Sequence, residues 1–337
     1  MNKPKLVFAA IFFFGGLLLS AQAQVPLKLA AKFPMPASAG NRFDHLAADV
    51  NGNRLFVVAE NGHQVLVLDL GTGKLIQTIK VDHPHAVLYR EDLSRIYITD
   101  EGKGALNIYD GKDYHLVKTV ALKVDADSIG YDAATHYLYV DNGGDNAHET
   151  FTMLSVVDTT SGEKLADIKL DGDTLEAMAL ETSGPKLYVN NEDKNEVDVI
   201  DRKTRQMIAH WPITLGKSPS AMAFDESAHR LFVGVRSGAV VVFDTGSGKE
   251  LQALAVGKGV DDLMFDAATK RLYATCGGAA SVDVYKETDP DHYQSLGKIP
   301  SGAGAKTGLW VPQLSRLFVP VPPQGAAPAA VYVYQVQ

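Results

Sequence analysis

One cysteine, two tryptophans and seven methionines occur among 337 residues, and each scarcity closes a route. The lone Cys276 cannot form an internal disulfide, so a disulfide-stapled scaffold is excluded. Within Leu272-Tyr273-Ala274-Thr275-Cys276 it reads as a small buried hydrophobe at a strand end rather than a nucleophile. The chain has no C-x-x-C-H haem site, no G-x-S-x-G elbow, no G-x-G-x-x-G opening a helix and no H-E-x-x-H. Redox and serine-hydrolase chemistries therefore lose their usual warrants. Lys and Arg form no cluster that would track phosphates, so no nucleic-acid partner is expected.

The chain has little hydrophobic sequence of membrane length. Its one long apolar run, Leu6 to Ser20, follows Lys3 and Lys5 and precedes Ala21-Gln22-Ala23. A basic start, a short apolar stretch and a small-x-small site make a secretory signal peptide over residues 1–23. The run falls short of the ~20 residues a spanning helix needs. Cleavage after Ala23 releases a periplasmic or secreted protein from Gln24, with no membrane span in the mature chain; an uncleaved anchor is the alternative. Setting Lys3 and Lys5 aside leaves 30 of the 32 basic residues against 40 acidic ones, a formal charge of about −10 that disfavours polyanions.

What is abundant is glycine, proline and β-prone residues, and they recur with a period. The triplet Arg54-Leu55-Phe56 returns as Arg95-Ile96-Tyr97, Tyr137-Leu138-Tyr139, Lys186-Leu187-Tyr188, Arg230-Leu231-Phe232, Arg271-Leu272-Tyr273 and Arg316-Leu317-Phe318, at spacings of 41, 42, 49, 44, 41 and 45 residues. About ten residues after most triplets comes an alternating strand such as Val65-Leu66-Val67-Leu68-Asp69 or Val240-Val241-Val242-Phe243-Asp244. Repeats of this period and texture predict an all-β, seven-bladed β-propeller of four-stranded antiparallel blades within residues 24–337. After the last triplet only Val331-Tyr332-Val333-Tyr334 remains, so the N-terminal segment Lys28 to Phe33 is expected to complete the last blade and remove two open edges.

The blade sequence, Leu-Phe-Val-Val or Leu-Tyr-Val before a short loop, an alternating strand ending in Asp, then Thr-Gly-Lys, resembles the YVTN-type β-propeller repeat of secreted bacterial proteins over essentially residues 25 to 337. That resemblance implies an extracytoplasmic propeller, while its relatives range from surface-associated proteins to distant lactonases and lyases. Among the latter, metal-dependent lactonases related to gluconolactonase hold carboxylate and Asn ligands at a propeller mouth. Asp44, Asn142, Asn191 and Asp261 lie in broadly similar places, an architectural similarity only. Pyrroloquinoline-quinone propellers dock blades with repeated Trp, which Trp211 and Trp310 alone do not reproduce.

Equivalent positions that recur in every blade mark scaffold, and those that differ mark function. The strand-ending Asp69, Asp110, Asp158, Asp201 and Asp244 recur in register and are expected to cap turns. Six residues before each triplet stand Ala48, Tyr89, Tyr131, Leu180, Phe224, Phe265 and Trp310, mostly large apolar groups suited to packing between blades. Ten residues before it stand Asp44, His85, Asp127, Glu176, Ser220, Asp261 and Lys306. Six of these seven are ionisable, and the start of each innermost strand should bring them to one channel mouth. Four carboxylates and a histidine there need protons, a cation or a basic ligand to offset their repulsion. Asp44, His85, Asp127, Glu176 and Asp261 are therefore the candidate metal ligands, with Ca²⁺, Mn²⁺ or Zn²⁺ as the divalent cation; a wet acidic entrance without an ion is the alternative. Strand alternation would turn His45 and Asp262 away from the mouth. Lys306 would silence the set if it paired with a neighbouring carboxylate.

The loops after each triplet strand, from Glu60-Asn61-Gly62-His63 to Cys276-Gly277-Gly278, should form a second layer on the same face. The third, Asp141 to Glu149, carries about six extra residues and is expected to contribute ligands or to lie over the channel. Two functions follow. The first is an exported, non-catalytic and monomeric binding or scaffold protein, engaging a small molecule or a protein partner at the top face. The second is a metal-dependent hydrolase, lactonase or lyase, with Asp44, Glu176 and Asp261 on the ion and His85 or Asp127 as general base.

Overall fold

Each repeat becomes one antiparallel sheet, as its alternation and turn residues dictate. In a computed structural model describing residues 25–337, seven four-stranded sheets succeed one another along the chain. The export leader expected over residues 1–23 lies outside the described residues. Blade 2 is representative, with strands Pro84–Arg90, Arg95–Asp100, Ala105–Asp110 and Leu116–Ala121 running from the axis outward. Innermost strands of successive blades touch around the ring, and that of blade 7 meets that of blade 1. The expected propeller is therefore observed. Among the described residues no helix is long and apolar enough to cross a membrane.

Burial explains why the triplets are so regular. The two middle strands of each blade are covered on both faces by neighbouring blades, so Leu55 to Val58 and Val65 to Leu68 are fully buried. A strand covered twice reads as an unbroken apolar run. The outermost strand is covered on one side only, leaving Leu75 and Ile76 exposed while Ile79 is buried. Between blades, the triplet aromatic meets the inner-strand aromatic of the next: Phe56 with Tyr89 at 5.5 Å between ring centroids, Tyr188 with Phe224 at 5.7 Å, Phe232 with Phe265 at 5.3 Å and Tyr273 with Trp310 at 5.4 Å. Such tilted pairs add roughly 1 kcal/mol each beyond area burial.

The ring closes through the chain ends. Leu27–Pro34 pairs with Ala330–Val336, from Leu27 opposite Val336 to Pro34 opposite Ala330, and becomes the outer strand of the last blade. Leu27 and Phe33 are buried by this pairing. The strand-ending aspartates cap turns as expected: Asp69 Oδ1 accepts from the Gly71 and Thr72 amides and the Thr72 hydroxyl, and Asp201 Oδ1 does the same for Lys203 and Thr204. Cys276, fully buried at its strand end, has its thiol pushed up to about 12 by burial and stays protonated.

One inner-strand expectation fails. The register between the first two strands slips between Phe43 and Leu46, Pro84 and Val87, Leu175 and Met178, Pro219 and Ala221, and Val260 and Asp262. A bulge puts consecutive side chains on one side of a strand. His45 therefore faces the channel with Asp44 instead of turning away, and His45 and Asp262 line its deeper part together.

Candidate functional site

All seven residues that stand ten positions before the triplets line a single cavity of about 100 Å³ at the channel mouth, joined by Arg42, His45, Ser128 and Arg236. Neighbouring blades hold their backbones in place. Thr307 Oγ1 donates to the Asp44 carbonyl at 2.9 Å, Thr99 Oγ1 to that of Asp127 at 2.9 Å, and Thr275 Oγ1 to that of Lys306 at 2.6 Å. Ser220, the uncharged member, spends its hydroxyl on the Val260 carbonyl at 2.6 Å. At these three junctions one blade thus fixes where the next presents its charged group.

The charges pair within the protein. Lys306 Nζ lies 3.3 Å from Asp44 Oδ2 and 2.8 Å from Asp261 Oδ2. Arg236 reaches Glu176 at 2.8 Å and Asp261 at 3.1 Å, and also grips Glu192. His85 Nε2 is bonded to Glu101 Oε2 at 2.9 Å, while its Nδ1 stands 3.2 Å from Asp44 and 3.3 Å from Asp127. Burial alone would favour a neutral imidazole, but Asp127, Asp44 and Glu101 raise His85 far above the ordinary histidine range. Likewise burial would depress His45, yet Asp262 and Asp44 hold it protonated up to about 10. Asp44, despite the burial that would raise it, is kept well below the usual carboxylate range by Lys306, His85 and His45. Four cations, Lys306, Arg236, His85 and His45, therefore stand among the ring carboxylates, and burial pushes the Glu176 carboxyl well above the usual range although Arg236 opposes it.

This pairing divides the five candidate metal ligands. Asp44, His85 and Asp127 bring one ligand atom each within 4.8 Å of one another. Glu176 and Asp261 lie outside that cluster, Glu176 on Arg236 and Asp261 shared between Arg236 and Lys306. A metal ligates neutral imidazole, and an imidazole facing three carboxylates holds its proton. The donor set fits an ion only if His85 first gives that proton up. Asn142 and Asn191, placed by analogy near a lactonase-like metal site, are committed elsewhere. The oxygens a metal would take already accept backbone amides, Asn142 Oδ1 from Lys123 at 3.0 Å and Asn191 Oδ1 from Lys194 at 3.1 Å, while the Nδ2 groups donate to Ser155 and to Asp198.

The second layer of loops supplies one of the ring's cations, Arg236, and carboxylates that hold cations in place. Counting six residues forward from the first residue of each triplet gives Glu60, Glu101, Gly143, Glu192, Arg236, Gly277 and Pro322. Of these, Glu60 binds Arg42 at 2.7 Å, Glu101 binds His85 and Glu192 binds Arg236. That column was readable in the sequence, and Arg236 is its decisive member. The enlarged third loop makes a short helical turn, Asp145–Ala147, and reaches across blades: Asn146 Nδ2 donates to Glu101 Oε1 at 2.9 Å and Asp125 Oδ1 at 2.7 Å. Beneath it is a second hollow of about 230 Å³, shared with the mouth through His85, Asp127, Glu176 and Arg42. Burial, with Asp127 and Glu176 close by, pushes the Asp141 carboxyl there well above its ordinary range. Asp125 is pushed up to about 6, again by burial.

No family model matches the chain. The uncharacterized protein YncE of Salmonella typhi is 31% identical over 98 residues, 29% of this chain and 28% of YncE. YncE of Salmonella typhimurium is 30% identical over the same length. The match thus spans less than a third of the length of either relative. Among solved structures, a chain of Kuenenia stuttgartiensis hydrazine synthase superposes with a TM-score of 0.75 at 15% identity, covering 97% of this chain and all of that one. A chain of the mitotic checkpoint complex gives 0.72 at 14%, covering 100% and 99%. At such identities the likeness is one of fold, a β-propeller in each case, and what the mouth does must be argued from its own residues.

Proposed function

We propose that the chain is an exported, non-catalytic β-propeller of the YVTN type, monomeric, which binds a small ligand or a protein partner at the polar mouth of its channel. One observation carries this reading: the ionisable groups at the mouth are committed to one another. A general base needs a free acceptor near the working pH and a metal-bound water needs open coordination. Here Lys306 bridges Asp44 and Asp261, Arg236 holds Glu176, and His85 is protonated among three carboxylates. Fixed, pre-paired charges suit recognition, because they are already oriented and lose little freedom on binding. The repeats, the apolar leader and the partial likeness to YncE support the family and the export.

The metal-dependent hydrolase remains as a second reading on one observation, the approach of Asp44, His85 and Asp127 to within 4.8 Å. Elemental analysis of protein purified without chelators separates the two, run beside lactone hydrolysis with added Ca²⁺, Mn²⁺ or Zn²⁺. The binding reading predicts metal far below one ion per chain and hydrolysis at background. A stoichiometric ion with turnover, both lost in Asp44→Ala, would establish the enzyme instead.

A further inference from the structure

The central ring meets its charge from within; the hollow beneath the enlarged loop of blade 3 does not. Six carboxylates line it, Glu101, Asp125, Asp127, Asp141, Asp145 and Glu176, against the two cations Arg42 and His85. Arg42 is engaged by Glu60, His85 serves Glu101 and Asp127 and is shared with Asp44, and Glu176 is held by Arg236, which leaves Asp125, Asp141 and Asp145 without a cation among the described residues. Two atoms mark where a ligand would bond. Asp141 Oδ1 and Thr152 Oγ1 belong to lining residues only 3% and 2% exposed, and neither finds a hydrogen-bond partner among the described residues. A buried polar atom left unpaired costs roughly 1–3 kcal/mol. Two in one hollow, a carboxylate oxygen and a hydroxyl, invite a single donor of positive charge.

We propose that this hollow binds a small aliphatic amine as its ammonium ion, with Asp141 and Thr152 accepting from the –NH₃⁺ group and the surrounding carboxylates offsetting its charge. The proposal rests on the binding function argued above and names its ligand. Size and spacing favour an organic cation over a bare metal ion. The volume of about 230 Å³ is several times the ~30 Å³ that one water occupies in the liquid. Among the described residues, the groups that close ligand atoms to within 4.8 Å are Asp44–His85–Asp127, His63–Asp82–His83 and Glu196–Asp198–His210. Asp125, Asp141 and Glu176 are in none of them, so these three carboxylates are not gathered around one point as the ligands of a single ion would be. An ammonium has three donors and no acceptor, which suits a lining of carboxylates and hydroxyls. The loop above is built to stay in place. Gly144 sits at φ +87°, and a Cβ there would lie 2.0 Å from the Asp173 carbonyl oxygen, so only glycine fits. Asn146 fastens the turn to Glu101 and Asp125.

The test is isothermal titration of the full mature chain with 1,4-diaminobutane at pH 7 and low salt, beside butane-1,4-diol and CaCl₂. Saturable binding of the diamine at one site per chain is expected, with none of the diol and weaker binding of calcium. Asp141→Asn should weaken it about tenfold, the worth of one charged hydrogen bond. Thr152→Val should weaken it several-fold, and Asp113→Asn, in an exposed turn of blade 2, should leave it unchanged. Melting curves verify that each variant folds. Absence of diamine binding, equal binding of the diol, tighter binding of calcium, or an Asp141→Asn variant that binds as before would each overturn the proposal. Failure of the diamine without metal-dependent hydrolysis removes only the ammonium assignment. Metal-dependent hydrolysis removes the binding function itself.

Discussion

Lys306 is the one lysine among the seven ring positions, and it joins the carboxylates of Asp44 and Asp261. Removing one partner of a buried pair leaves an uncompensated charge, at a cost of about 3 kcal/mol. Lys306→Met is therefore expected to lower stability to urea by about that amount at pH 7. The pH dependence has a definite sign. Asp44 is held below its ordinary value of 3.8 in the folded state, so its contribution is complete above about pH 4 and fades as pH falls further. The penalty of Lys306→Met should accordingly shrink between pH 7 and pH 3, and an equal penalty at both would contradict the ion-pair account. These seven residues were legible in sequence because repeats keep register: ten positions before a triplet is the same place in every blade. Arg236 and Glu192 were harder to read, because Arg236-Ser237-Gly238 and Asn190-Asn191-Glu192-Asp193 read equally well as plain turns.

At the scale of strands, apolar alternation and turn chemistry specified nearly every element, since each middle strand is covered on both faces and tolerates little else. What they did not reveal were the bulges at the starts of five inner strands. A bulge leaves no mark in the hydrophobic pattern when the residues concerned are polar, as Asp44-His45 and Asp261-Asp262 are. The N-terminal strand Leu27–Pro34 makes a separate prediction. Its pairing covers the edge of Ala330–Val336 and buries Leu27 and Phe33. A chain beginning at Met35 should unfold at lower urea and associate with rising concentration, because an open apolar edge recruits other strands. Sedimentation velocity and urea titration read this directly. An unchanged midpoint with a monomeric profile would show that the ring does not depend on the closure.

Across the whole molecule, seven blades place residues from Asp44 to Lys306, 262 positions apart in sequence, within salt-bridge distance of one another. The formal charge of −8 for the full chain says nothing of this, because a net charge does not record which side chains meet. Sequence could show that ionisable groups converge; it could not show which would pair, since pairing depends on side-chain reach across the axis. That pairing is the central claim, and the two channel histidines report it. Nitrogen-15 NMR of His45 and His85 across pH 5 to 10 follows each imidazole through its own titration. Both should remain imidazolium beyond pH 9, held by Asp262 and Asp44 in one case and by Asp127, Asp44 and Glu101 in the other. If either loses its proton near its ordinary value of about 6.5, the mouth is not self-neutralised and its carboxylates are free to take an ion.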